Sequence, residues 1–225
     1  MPTALIIGAS RGLGRALAEE HLKRGWAVIA TVRDPAALAD LAAAHGDALR
    51  VELLDTIDWA GVDALHARLA GIALDLLFVN AGISGPVTAP IGAVEPDAFT
   101  QLMLVNALAP LRIVDRFADL LAPDGTAAVM TSGLGSIANN NGGWEAYRMS
   151  KAALNMGFVS LAQRRRVGAQ AWLTVAPGWV RTDMGGPAAT LSIDQSIPAI
   201  ADLLEQRHGS GTTAFVNYEG RELPW

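Results

Sequence analysis

The 225-residue chain contains no cysteine. That absence excludes disulfides, thiol nucleophiles and thiolate metal sites, while leaving the compartment open. The four histidines, His21, His45, His66 and His208, show no ligand spacing, so no structural metal is expected. Charge is scarce as well: 17% of the residues are charged and the net charge is -5, which supplies no surface for nucleic acid. A hydrophobic content of 51% is equally unlike a disordered chain. Long apolar runs are missing; no stretch reaches the roughly 18 residues of a membrane span, and the N-terminus carries no basic leader. Nor does any repeat, low-complexity tract or Pro/Gly/Ser linker divide the sequence. A soluble single domain over residues 1–225, cytoplasmic by default, is the expectation.

What the chain does have is alternation. Short apolar runs predict strands at 3–8, 26–32, 48–54, 74–80, 125–131, 171–176 and 213–217, with helical patterns between them. Runs such as Ala4-Leu5-Ile6-Ile7 are apolar throughout, as strands of a parallel sheet covered on both faces must be. The order predicts a doubly wound α/β fold, whose ligands bind beyond the carboxyl ends of the strands.

The unusual residues fall at those ends. Gly8-Ala9-Ser10-Arg11-Gly12-Leu13-Gly14 follows the first strand and opens a helix. Its glycines allow a tight turn and close approach to a pyrophosphate, which the helix amides and dipole would meet. The second strand ends at Arg33-Asp34, about twenty residues on, where an arginine accommodates a 2′-phosphate and a carboxylate accepts from a 2′-hydroxyl. Arg33, with Arg11 joining it, favours NADP(H) over NAD(H); a solvated Arg33 with Asp34 on the ribose is the other reading. Asp55 and Asn80-Ala81-Gly82, ending the third and fourth strands, are either adenine and ribose walls or ordinary turn chemistry. After the sixth strand, Pro177-Gly178-Trp179-Val180-Arg181-Thr182 is a stiff turn suited to the far end of a cofactor. Trp144, Trp179 and Met184 are candidate apolar pocket walls.

Tyr147 and Lys151, four residues apart, put a phenol and an ammonium on one helix face. A cation beside a phenol favours phenolate, which makes Tyr147 a candidate acid-base group. Ser132, at the end of the fifth strand, is a candidate donor to a substrate oxygen, with Ser136 its competitor. Residues 95–121 read as one long helix whose apolar stripe Asn106 interrupts. Pro110 cannot donate to the Asn106 carbonyl, so a local kink holding a water near Lys151 is expected.

In this combination the chain resembles the short-chain dehydrogenase/reductase family over essentially its whole length. The turn at 8–14, Asn80-Ala81-Gly82, Asn106, Ser132, Tyr147-x-x-x-Lys151 and Pro177-Gly178 carry the likeness. Gly135-Ser136-Ile137, the stretch from Tyr147 to Asn155, that from Pro177 to Pro187 and the closing Gly220–Trp225 resemble its C-factor and sniffer-type carbonyl reductase branch. The resemblance implies a Rossmann-type seven-stranded parallel sheet, and an oxidoreductase that reduces a ketone or aldehyde with NADP(H). It implies Tyr147 as the acid-base residue and Lys151 as the group that lowers its pKa and holds the nicotinamide ribose. Ser132 would orient the carbonyl and Asn106 hold a relay water. Gly8, Gly12 and Gly14 would cradle phosphate and Thr182 would lie near the carboxamide, with Ser10, Arg11, Leu13, Pro177, Gly178 and Val180 also binding the cofactor. Ile7 and Val79 depart from the family pattern, which bears on cofactor affinity. A homodimer or homotetramer paired through 95–121 and 145–166 is implied, the other reading of those apolar faces being that they cover the sheet. A nucleotide-occupancy signalling protein is the alternative, and a sugar-nucleotide epimerase is weaker because too few residues follow Thr182.

Overall fold

A computed structural model describes residues 1–85 and 88–225. Seven strands form one sheet: β1 (Thr3–Ile7), β2 (Ala27–Val32), β3 (Leu49–Leu53), β4 (Leu74–Val79), β5 (Leu121–Met130), β6 (Ala171–Ala176) and β7 (Thr213–Asn217). Their order is β3-β2-β1-β4-β5-β6-β7 and every pairing is parallel. All carboxyl ends therefore lie along one edge. The chain turns from building leftward to building rightward between β1 and β4, where Ile7 pairs with Val79. Gly8 and Asn80 consequently begin neighbouring loops at the switch point, the place where such sheets leave a crevice.

The strands are apolar on both faces because both faces are covered. Ala4 and Ile6 of β1 join Leu17, Ile200 and Leu204 on one side, whereas Leu5 and Ile7 join Leu65, Ile113, Phe117, Leu154 and Phe158 on the other. The first layer comes from helices α1 (Gly12–Lys23) and α7 (Ile193–Arg207). The second comes from α3 (Trp59–Arg68), α5 (Ala109–Phe117) and α6 (Glu145–Arg165), while α2 (Ala39–His45) flanks β3. A capping box of Ser192 and Gln195 starts α7. Gly25, at φ +79° just past the end of α1, lets the chain turn into β2.

Two predicted elements differ. The fifth strand begins at Leu121 rather than 125, because Leu121 pairs with Leu74 before a register shift restores regular pairing at Thr126. The long helix expected over 95–121 is segmented: α4 (Pro96–Met103), a π-helical turn at Leu104–Leu108, then α5 and a 3-10 turn at Ala118–Leu120. Pro110 lacks the amide that would close a regular turn on Asn106, and the widened turn is what replaces it. No helix among the described residues is long and apolar enough to cross a membrane.

Candidate active site

A cavity of about 350 Å³ opens at the carboxyl edge of β1, β2, β4 and β5. Its wall includes Gly8, Ser10, Arg11, Gly12 and Leu13 of the first turn, Arg33, Asp55, Asn80, Ala81 and Gly82, then Tyr147, Lys151, Pro177, Thr182 and Met184. Residues drawn from across the sequence thus share one surface. Gly14, Gly178, Val180, Asn106 and Ser132 stand back from that wall, and each has a local reason.

The first turn is held from three sides. The Gly8 amide donates to Thr31 Oγ1 at 3.0 Å, and Asn80 Nδ2 donates to the Gly8 carbonyl at 2.9 Å. A side chain at Gly14 would sit on that same Gly8 carbonyl and 2.5 Å from Asn80 Nδ2, so Gly14 serves closure of the turn rather than contact with a ligand. Gly12, at φ +55°, faces open space but for the Thr182 methyl at 3.8 Å. Across it, Arg11 pairs with Asp183 at 2.6 Å in an exposed bridge, tying the segment after β6 to the turn. Thr182 is itself fixed by the Gly185 amide, which donates to its hydroxyl at 3.1 Å. Gly178 (φ +83°) turns the chain beneath Leu191, and Val180 is buried in a bridge to Leu191.

At the β2 end the two readings of Arg33-Asp34 separate. Asp34 accepts from the Ala36 amide as the cap of a 3-10 turn at Pro35–Leu38 and does not line the cavity. Arg33 does line it, exposed beside Thr31 and Val32. Asp55 lines it as well while accepting from the Ile57 amide.

The opposite end is built on α6. Tyr147 and Lys151 are both buried, at 9% and 4% exposure. Lys151 Nζ donates to the Met130 carbonyl at 3.0 Å and lies 5.8 Å from the centre of the Tyr147 ring. Burial pushes the phenol up to about 12, with the Ser132 hydroxyl beside it acting in the opposite direction. Burial brings the Lys151 amine down to about 8. The expectation that the cation lowers the phenol is therefore corrected: both groups have lost water, and desolvation disfavours the charged form of each.

Ser132 accepts from the Leu134 amide at 3.1 Å, and its hydroxyl, still able to donate, lies beside the Tyr147 phenol. Its competitor Ser136 donates to the Pro224 carbonyl at 2.6 Å and accepts from the Asn139 amide, so it fastens the C-terminal segment. Asn106 sits in the π turn, fully buried. Its Oδ1 accepts from the Ile83 amide at 2.8 Å, and its Nδ2 donates to the Ile83 carbonyl at 2.8 Å and Ser150 Oγ at 3.1 Å. The expected irregularity is present, and Asn106 is near Lys151: a Cβ on Gly82 would meet Asn106 Oδ1 at 3.3 Å and Lys151 Nζ at 3.5 Å.

Sequence reasoning missed the supporting tier. Thr31 holds the first turn, Ser150 links Asn106 to the Tyr147 carbonyl, and Thr131 donates to Asn155 at 2.7 Å behind β5. The available signal was the run of polar residues, Ser150 and Asn155, on the inward face of a helix that otherwise buries Leu154 and Phe158.

Residues 2–190 match the family profile described as short chain dehydrogenase. A short-chain dehydrogenase/reductase from Burkholderia multivorans, crystallised with bound NADP, is 48% identical and superimposes with a TM-score of 0.96, covering 100% of this chain and 99% of that one. The carbonyl reductase Sniffer of D. melanogaster is 32% identical with a TM-score of 0.88 over 100% of both chains. The C-signal protein of Myxococcus xanthus is 37% identical over 155 residues, 68% of this chain and 93% of its own. Both arms of the branch resemblance are thus among the relatives, and the chain belongs to the short chain dehydrogenase family of oxidoreductases.

Proposed function

We propose that this protein reduces a ketone or aldehyde to an alcohol with NADPH, Tyr147 serving as the acid. The observation that carries the reading is convergence: Tyr147 and Lys151 lie at one end of a cavity whose other end is formed by a glycine turn and Arg33. The residues fit a dinucleotide. Gly12 leaves its surroundings open, the turn precedes α1 so that helix amides face a pyrophosphate, and Arg33 stands where a 2′-phosphate would end. Crystallised relatives with NADP support the same choice of cofactor.

When bound, NADPH supplies the hydride that the carbonyl carbon accepts. The chain's own groups manage the oxygen. Ser132 donates to the carbonyl oxygen and stabilises the charge that gathers on it, and Tyr147 transfers its proton to that oxygen. A phenol held neutral, as burial holds this one, carries the proton that the step requires. Lys151 then opposes the phenolate charge that remains, and its own proton is poised for exchange because its pKa lies near 8. Asn106, clamped on Ile83 within reach of Gly82, positions the route by which the proton is replaced.

Replacing Tyr147 by Phe should lower kcat by at least ~10³-fold, near the upper part of the range for a single acid-base group. NADPH affinity should change little. Loss of NADPH absorbance over a panel of carbonyl compounds measures the first and a fluorescence titration the second; near-normal turnover in the variant would reject the assignment.

A further inference from the structure

Immediately before α6, Gly142, Gly143 and Trp144 follow one another at φ of +86°, +67° and +56°. Trp144 is the one non-glycine residue with positive φ among those described. A bulky side chain is disfavoured in this region, and such a residue persists only where its surroundings over-determine it.

The surroundings here are Arg148, a residue only 7% exposed. Its Nε donates to the Gly143 carbonyl at 2.8 Å, and its Nη2 donates to Asn141 Oδ1 at 2.5 Å and the Gly142 carbonyl at 3.0 Å. Nη1 is buried without a partner among the described residues. A guanidinium taken out of water onto neutral oxygens costs stability, as does a left-handed tryptophan. Two adjacent costs of this kind point to function more than to folding.

What they achieve is the position of the indole. It stands edge-on to the Tyr147 ring, centroids 6.2 Å apart and planes at 74°, yet 43% of Trp144 stays exposed. The residue thus meets the acid-base tyrosine without being enclosed, just outside the cavity wall that Tyr147 lines. We propose that Trp144 determines specificity: the turn held by Arg148 sets its indole beside Tyr147 as the wall on which a flat aromatic substituent of the carbonyl substrate packs. This rests on the assignment of Tyr147, so the test carries its own control.

Reduction of propanal, benzaldehyde and 2-naphthaldehyde with NADPH should be compared in the unaltered protein and in Trp144→Asn, Trp144→Phe and Arg148→Met, beside Tyr147→Phe. Asparagine is chosen because it tolerates the left-handed region. The unaltered protein should favour the arenes. In Trp144→Asn the ratio of kcat/KM for naphthaldehyde over propanal should fall about 10-fold, the scale of one aromatic contact, with the change in KM. Trp144→Phe should recover most of it. The melting temperature of Trp144→Asn should stay within about 2 °C of the original, since relief of strain offsets lost packing. Arg148→Met should lower the same ratio but add nothing to Trp144→Asn, because both act through one turn. Equal losses on all aldehydes, an unchanged ratio, or no preference for arenes in the unaltered protein would overturn the proposal. If Tyr147→Phe retains turnover, the failure belongs to the acid-base assignment instead.

Discussion

At Lys151 the proposed function is set against stability. The residue is 4% exposed and its amine is brought from 10.5 to about 8 by burial, so the folded protein carries a penalty of about 3 kcal/mol for keeping it charged at pH 7. Below pH 8 both folded and unfolded chains hold the proton and the penalty is fully present. Between pH 8 and 10.5 the unfolded chain holds a proton that the folded one has lost, so stability rises with pH; above 10.5 the penalty is gone. Lys151→Met should therefore be inactive yet more stable at pH 7 by about 2 kcal/mol, after loss of the bond to Met130 offsets about 1 kcal/mol. Denaturant midpoints at pH 7 and pH 10.5 check this, and an advantage that does not shrink at the higher pH would contradict it. Arg33 makes a separate case at this scale. Exposed on the cavity wall, it costs the fold nothing, so Arg33→Ala should leave melting unchanged while reducing the preference for NADPH over NADH by about 10–100-fold, the worth of one charged contact. An unaltered preference in paired titrations would remove Arg33 from the site. Tyr147, Lys151 and Arg33 were all legible in the sequence from residue type and spacing. The raised phenol was not, because burial depends on neighbours far away in the chain.

Among the elements, the turn between β1 and α1 depends on contacts that no local pattern contains. Its glycines are recognisable in the sequence, but their duties differ: Gly12 leaves room for a ligand, whereas Gly14 leaves room for the Gly8 carbonyl and Asn80. Gly14→Ala should accordingly fail in two ways. The added carbon displaces the Gly8 carbonyl and breaks its bond from Asn80, at a cost of about 2–4 kcal/mol in stability. NADPH affinity should fall by at least ~10²-fold as the turn opens, measured by fluorescence titration beside thermal melts. Wild-type affinity in that variant would show that the turn closes by another route. The π turn at Leu104–Leu108 teaches the same lesson from the other side. Pro110 announced an irregularity near Asn106, but the clamp on Ile83 pairs residues 23 apart in sequence, and spacing within one helix is silent about that.

Across the whole molecule, a buried histidine ties acid stability to the packing of α1 on α7. His21 is fully buried, with Nδ1 against the Leu17 carbonyl at 2.9 Å, Nε2 unpartnered among the described residues, and Trp26 edge-on at 4.9 Å. Burial lowers its pKa below 6.5, the Leu17 carbonyl works against that, and the charges of Arg24, Glu205 and Glu20 around it largely oppose one another. The unfolded chain thus takes up a proton near pH 6.5 that the folded chain refuses, and stability falls as the pH drops through that value. His21→Leu should flatten the decline between pH 6.5 and 5 in urea midpoints; an unchanged slope would locate acid sensitivity elsewhere.

The sequence by itself determined the strand-helix alternation, the apolar strands that require cover on both faces, and which side chains are candidates for the chemistry, because each follows from residue type and short-range periodicity. Only the tertiary structure decided that Asp34 caps a turn while Arg33 faces the cavity, that Ser136 fastens the C-terminal segment while Ser132 stands beside Tyr147, and that Thr31 braces the glycine turn. The physical reason is common to all three. A hydrogen bond commits a polar group to whichever partner packing brings within about 3 Å, and in a parallel sheet those partners come from different crossovers.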